Sequence, residues 1–95
     1  MSQRRIVVSD SVPRFPRHVQ FRFDETRGRW IVLAPERVLF PDEIAVAILQ
    51  RCDGAATVRE IASALAREFR APVDTVRDDV IDMLQTLADK GVIAT

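Results

Sequence analysis

The stretch HVQFRFDETRGRWIVLAPERVLF, residues 18–40, decides the fold because its first part alternates apolar and polar side chains. Val19, Phe21 and Phe23 fall on one side of the chain, and Asp24 falls with the polar residues on the other. A period of two is typical of a strand with one buried face. The pattern therefore predicts that the domain begins with an antiparallel sheet.

A hairpin and a short third strand are predicted from the turn residues in this stretch. Gly28 can take the positive φ of a tight turn, so residues 18–33 are predicted to form a hairpin. Pro35 ends the second strand because proline cannot donate to a sheet ladder. Residues 37–40 then form a short third strand, which we expect at the edge of the sheet.

Three helices are predicted after the strands, because apolar residues then recur at spacings of three and four. Asp42 is a candidate cap of the first helix, and Thr57 with Glu60 forms a capping box for the second. The third helix runs from about 74 to 90 and stops at Gly91. The predicted fold class is α+β and winged helix-turn-helix-like, with three N-terminal strands followed by a three-helix bundle.

The chain has 95 residues, which is room for one hydrophobic core. Residues 1–17 carry four arginines and two prolines and are predicted to be a flexible N-terminal arm. Residues 18–95 are predicted to be a single winged-helix-like domain. Residues 1–40 hold eight arginines against four acids, and residues 41–95 hold six basic residues against ten acids. This asymmetry allows a basic arm to meet an acidic partner.

Several classes of protein are disfavoured by composition. No apolar run approaches the ~18–20 residues of a membrane span, and we expect no signal peptide. The single cysteine, Cys52, excludes a disulfide framework and fits a cytoplasmic protein. Cys52 lies on an apolar stripe and His18, the only histidine, on a polar strand face, so a Cys–His catalytic pair is not favoured. We expect no catalytic residue, no cofactor and no metal.

The third predicted helix is acidic, with five aspartates against Arg77 and Lys90. A solvated face is the favoured interpretation, and a partner-facing patch or a divalent metal site are the alternatives. Winged-helix domains often bind DNA, but such a helix would be repelled by phosphates. No nucleic-acid or membrane partner is therefore expected. The aspartates are Asp74, Asp78, Asp79, Asp82 and Asp89.

A sheet edge presents unpaired N–H and C=O groups, so the third strand can accept an extended peptide as a further strand. We expect helix 3 to form one wall of the groove, with Arg77 and the aspartates at its polar rim. Val80, Leu84 and Leu87 also fit a plain core role, whereas the thioether of Met83 suits an adaptable surface. The candidate peptide-binding residues are Arg37, Val38, Leu39, Phe40, Arg77, Val80, Met83, Leu84 and Leu87.

Two short elements make the chain resemble the PqqD family of pyrroloquinoline quinone biosynthesis. They are Pro-Glu-Arg-Val at 35–38 and Asp-Gly-x-x-Thr at 53–57, in this order and spacing. Further matching strings lie at 9–13, 47–49 and 79–88, so the resemblance covers roughly residues 9 to 93. Phe-Pro-Asp at 40–42 departs from the family pattern at the start of helix 1.

The resemblance implies a peptide chaperone that binds the precursor peptide PqqA and presents it to PqqE, a radical S-adenosylmethionine enzyme. It also implies that the peptide lies along the third strand against the third helix, as in recognition elements for ribosomally made, modified peptides. Fusion to the oxidase PqqC occurs in some family members. Two other hypotheses stay open at this point: a DNA-binding winged-helix regulator, and a structural dimerisation module that swaps its arm onto a neighbour.

Overall fold

A three-stranded antiparallel sheet and three helices form the fold in the computed structural model, which describes residues 5–95. The strands lie in the order β1-β2-β3, with Phe21 opposite Val32 and Val32 opposite Leu39. The predicted α+β architecture is thus confirmed, with the third strand one residue shorter than expected. The elements are β1 (Gln20–Asp24), β2 (Arg29–Ala34), β3 (Arg37–Leu39), α1 (Glu43–Leu49), α2 (Val58–Phe69) and α3 (Val73–Asp89).

The turn between β1 and β2 is organised by Asp24, which is buried although the alternation predicts it on the solvent side. Its carboxylate accepts the backbone N–H groups of Thr26 (2.9 Å) and Arg27 (3.2 Å) and pairs with the Arg27 guanidinium (2.6 Å). The Arg27 guanidinium, aided by these N–H groups, lowers the pKa of Asp24. Phe23, predicted to be inward, is exposed instead and packs edge-on against Trp30.

Side-chain caps fix the starts of α1 and α2 as the sequence predicts, whereas α3 begins after Pro72 without a side-chain cap. The Asp42 carboxylate accepts the Ala45 N–H at 2.8 Å at the start of α1. At α2, the Thr57 hydroxyl accepts the Glu60 N–H (3.1 Å) and the Glu60 carboxylate accepts the Thr57 N–H (2.9 Å). The capping box predicted from these two residues is therefore confirmed.

The core lies between the inner face of the sheet and the three helices. Two large apolar helix residues, which the spacing of three and four places on the inward stripes, are half-exposed: Ile44 on α1 and Phe69 at the end of α2. Both belong to an apolar stripe, but each lies at a helix end where no neighbouring element covers it. The main buried cluster includes Val19, Val32, Ile48, Leu49, Val58, Ile61, Leu65, Val80, Leu84 and Val92.

Residues 5–17 pack against the helices and so differ from the flexible arm expected for residues 1–17; residues 1–4 lie outside the described residues. Val7 and Pro13 are buried, because this segment supplies apolar side chains to the core. The carbonyls of Ser9 and Ser11 accept the first two backbone N–H groups of α2 at 2.9 and 2.8 Å. Arg14 exchanges two backbone hydrogen bonds with Ala94. Residues 5–17 are called the N-terminal segment below.

Candidate functional site

Strand β3 is an edge strand with one free side. Among residues 5–95 it pairs only with β2, from Ala34 opposite Arg37 to Val32 opposite Leu39. Strand β1 forms the other edge of the sheet. Strand β3 adjoins an apolar groove that faces α3, so we take the β3 edge as the candidate site.

The turn before β3 determines which backbone groups point outward. Ala34 and Arg37 flank a two-residue turn in which Glu36 takes a φ of 61°. The pair that closes such a turn is normally hydrogen-bonded, and pairs then alternate along the strands. Alternation therefore directs the N–H and C=O of Val38 to the open edge, and those of Leu39 to β2.

An apolar groove of about 190 Å³ lies beside this edge, between β3, α1 and α3. Leu39 forms its strand side, and Met83 and Leu87, one helical turn apart on α3, form its opposite wall. These three side chains are partly buried and so remain accessible to a ligand. The complete lining is Val32, Leu39, Phe40, Pro41, Ala45, Leu49, Met83 and Leu87.

Phe40 forms the end of the groove and is held from outside the strand. The Arg29 guanidinium lies 4.6 Å from the centre of the Phe40 ring and donates to the Phe40 carbonyl at 3.5 Å. The ring remains half-exposed. Arg29 thus orients an aromatic side chain that a bound chain can contact.

Three of the nine candidate residues lie away from both the groove and the β3 edge. Val80 and Leu84 are only 1% and 0% exposed, so they form the core beneath α3 rather than a binding surface. Arg77 lies six residues before Met83, which turns it about 120° around the helix. Its guanidinium instead pairs with Asp74 (3.2 Å) and Asp78 (3.9 Å).

The remaining candidates surround the β3 edge. Leu39, Phe40, Met83 and Leu87 line the groove. Val38 is half-exposed on the outer face of the sheet, and Arg37 is exposed at the start of β3.

Sequence reasoning missed two kinds of residue at the site: Ala45 and Leu49 of α1, which line the groove, and Arg29, which contacts Phe40. The β2–β3 register was the signal for Arg29, because it places this residue near the end of β3.

The described residues contain no constellation suited to a reaction. Cys52 is buried and donates to the Ile48 carbonyl at 3.4 Å, and burial raises the pKa of its thiol to about 12. Such a thiol stays protonated and is a poor nucleophile. Within residues 5–95, no three His, Cys, Asp or Glu side chains are placed to hold a metal ion. The same residues include no helix that is long and apolar enough to cross a membrane.

A hollow larger than the groove lies away from the β3 edge. It measures about 560 Å³ and lies between the β1–β2 hairpin and the first turn of α1, with Trp30 and Glu43 among its lining residues. It is shallow and open to solvent, and β3 does not border it. A strand cannot be added there, so its size does not make it the better candidate.

The fold and the site define a class: a small winged-helix-like domain with a free sheet edge beside an apolar groove, as in domains that bind extended peptides. The family model described as "Coenzyme PQQ synthesis protein D (PqqD)" matches residues 29–93. The chain belongs to this PqqD family, which is a family of binding proteins and not of enzymes.

Similar proteins support this assignment over nearly the whole chain. A "PqqA binding protein" of Rhodopseudomonas palustris (strain BisB5) is 55% identical over 94 residues, which are 98% of this chain and 92% of the relative. The NMR structure of the PqqD truncation of Methylobacterium extorquens PqqCD, described as a stand-alone RiPP recognition element, is 40% identical with a TM-score of 0.79. The match covers 94% of this chain and 95% of that one. The crystal structure of PqqD from Xanthomonas campestris is 39% identical with a TM-score of 0.56, covering 88% and 93%.

Proposed function

We propose that this protein is a peptide chaperone that binds the precursor peptide PqqA and presents it to the radical S-adenosylmethionine enzyme PqqE. The names of its relatives support PqqA as the ligand, and the structural relative described as a RiPP recognition element supports the class. A ribosomally made peptide is first available in the cytoplasm, which is where we place the interaction. The enzyme partner is the further step of the proposal.

The observation that carries the proposal is the free edge of β3 beside the groove. A peptide strand added there pairs with the outward N–H and C=O of Val38, which supply affinity that does not depend on sequence. Its side chains alternate between two faces. One set enters the groove between Leu39 and Met83, and the other lies beside Val38 on the outer face.

Selectivity comes from the groove because its lining is apolar. Leu39, Met83 and Leu87 accept apolar peptide side chains, and the flexible thioether of Met83 adapts to their shape. Val80 and Leu84 contribute indirectly, since their burial fixes α3 at its distance from β3. Arg37, at the start of β3, lies beside the C-terminal end of a peptide strand added antiparallel to β3.

Presentation needs no chemistry in this chain. Holding the peptide on a domain that also contacts PqqE raises the effective concentration of the peptide at the enzyme. It also restricts the orientations in which the modified residues approach the enzyme. The rate gain then depends on binding PqqA and PqqE at the same time.

The direct test is a titration of isotope-labelled protein with PqqA, followed by NMR, using Met83→Asp as the groove variant. We expect saturable shifts at residues 38–40, 83 and 87, and at least a tenfold loss of affinity in Met83→Asp, because the charge is desolvated on binding. Asp82→Asn is the matched control, since Asp82 is exposed on the same helix and does not line the groove.

The outcomes separate the parts of the proposal. If the Met83→Asp protein does not fold, Leu87→Ser is used in its place, because it alters the same wall of the groove without adding a charge. If wild-type protein shows saturable shifts only on the sheet edge formed by β1, the groove assignment is wrong. If folded protein fails to shift at all with PqqA, peptide binding itself is excluded. Presentation is tested by PqqE turnover, which should fall in the groove variant and not in the control.

A further inference from the structure

A second apolar pocket lies on the same seam between α1 and α3 as the groove. It measures about 240 Å³ and is bounded by the start of α1, the end of α2 and the first turns of α3. That volume exceeds the roughly 150 Å³ cavity that accommodates a benzene ring. Its lining is Ile44, Ile48, Leu65, Phe69, Ala71, Val76, Asp79 and Val80.

Two large apolar side chains at the mouth of this pocket are unusually exposed. Ile44 is 55% and Phe69 is 46% exposed, although both continue stripes that are otherwise buried. Covering such surface with a ligand is favourable because apolar area is removed from water. The pocket therefore provides an anchoring point for a large apolar side chain.

One charge stands at the rim. The Asp79 carboxylate is exposed and, within residues 5–95, has neither a hydrogen bond nor an ion pair. The nearby Arg77 does not neutralise it, because its guanidinium is engaged with Asp74 and Asp78. A cation next to the apolar anchor is thus the complementary charge.

The pocket and the groove are continuous along two helices. On α3, Asp79 of the pocket lies one turn before Met83 of the groove, a separation of about 6 Å. On α1, Ile44 and Ala45 are neighbours that face the pocket and the groove respectively. An extended chain advances about 3.3 Å per residue, so about two residues of a bound peptide span the distance from the pocket to the groove.

The direction of the sheet decides which end of the peptide arrives there. β3 runs toward α1, and a strand that continues an antiparallel sheet runs the opposite way. The residues before the paired segment then lie past Phe40 and beside Ile44. The residues after it lie near Arg37, at the far end.

We propose that this pocket binds the N-terminal flank of the same peptide, through a large apolar side chain beside a lysine, an arginine or the free amino terminus. The inference rests on the proposed function, because it places a second part of the ligand that β3 holds. The peptide is thereby fixed at two points, which sets its direction as well as its register.

The test compares PqqA with versions shortened from the N-terminus or from the C-terminus, using the full chain. With PqqA we expect shifts at Ile44, Phe69 and Val76 that saturate together with those at Leu39 and Met83. Shortening from the N-terminus should remove the first set and leave the second. C-terminal shortening should leave the pocket shifts in place.

Substitutions give an independent readout of affinity. Phe69→Ala should weaken PqqA binding about tenfold, and Asp79→Lys by a similar factor, whereas Asp82→Lys should change it less than twofold. None of these three substitutions should change the affinity for the N-terminally shortened peptide. Ile44→Ser replaces Phe69→Ala should the latter destabilise the fold.

Failure of the inference is distinct from failure of the proposed function. If PqqA gives saturable shifts at β3 but none at the pocket residues, the inference is wrong and peptide binding at β3 still stands. Loss of pocket shifts on C-terminal shortening also overturns it. The absence of shifts at both places with intact PqqA overturns the proposed function and the inference together.

Discussion

Two opposite sides of α3 differ in what lies against them. On one side the N-terminal segment is already in place, with Val7 buried and its N–H donating to the Gln85 side chain at 2.8 Å. On the other side Met83 and Leu87 face the free edge of β3. Positions 83 and 85 lie about 200° apart around the helix, so the two surfaces point in nearly opposite directions.

This difference shows how one helix can be stabilised and still remain available for binding. The N-terminal segment supplies apolar side chains to the core and carbonyl acceptors to the start of α2, so its contribution is to folding. The β3 side leaves backbone groups unpaired and apolar surface accessible, so its contribution is to recognition. The predictions below test whether these two roles are separable.

The largest effect is expected from a charge placed under the N-terminal segment. Val7→Asp should lower the free energy of unfolding by about 3 kcal/mol, because Val7 is 3% exposed and a carboxylate there loses its hydration. Val8→Asp is the matched control: Val8 is 50% exposed, and the change should stay within about 0.5 kcal/mol. Urea denaturation measures both. Equal, small effects would show that the segment does not contribute to the core.

A smaller effect is expected at the open edge, and on binding rather than folding. Val38→Pro removes an outward N–H, so PqqA affinity should fall about tenfold while the fold survives, as edge positions tolerate proline. Val38→Ala keeps the N–H and should lose much less. Calorimetric titration measures the affinities, and circular dichroism confirms folding. A Val38→Pro protein that is unfolded would indicate that this N–H faces β2 instead.

The sequence predicts the elements well because their signals are local. Alternation gives the strands, and Asp42 and Thr57 mark helix starts through short-range caps that need no tertiary information. Asp24 illustrates the limit. Its alternation pattern places it outside, yet the turn that follows needs an acceptor for two N–H groups and draws the carboxylate inward.

The candidate site was less predictable because it depends on how the elements pack. The β3 edge of the site follows from β3 being the last strand of the sheet, which the order of the strands in the sequence suggests. The α3 wall of the groove was harder to predict, because it depends on which face of α3 lies opposite β3. Val80 and Met83 both lie on the apolar stripe, and only packing against α2 makes the first core and leaves the second accessible.

Acid should weaken the folded state through the carboxylates near the N-terminal segment. The N–H groups of Ala55 and Ala56 lower the pKa of Asp53 below its ordinary 3.8. A lowered folded pKa means that the unfolded chain binds the proton first, so stability falls as the pH drops from about 4 through the folded pKa. Asp53→Asn should melt earlier than wild type at pH 7, and the two melting temperatures should converge well below pH 3.8. A constant gap would contradict this assignment.

The smallest effect concerns the turn that positions β3. Glu36 has a φ of 61°, which costs a residue with a Cβ about 1 kcal/mol, and a glycine would remove this cost while adding disorder to the unfolded chain. Glu36→Gly should therefore raise the unfolding free energy by only a few tenths of a kcal/mol, and Glu36→Ala, which keeps the strain, should not. PqqA affinity should stay the same in both, because neither alters the edge groups of Val38. A Glu36→Gly protein that binds more weakly would show that a stiff turn, and not merely a free edge, is needed to receive the peptide.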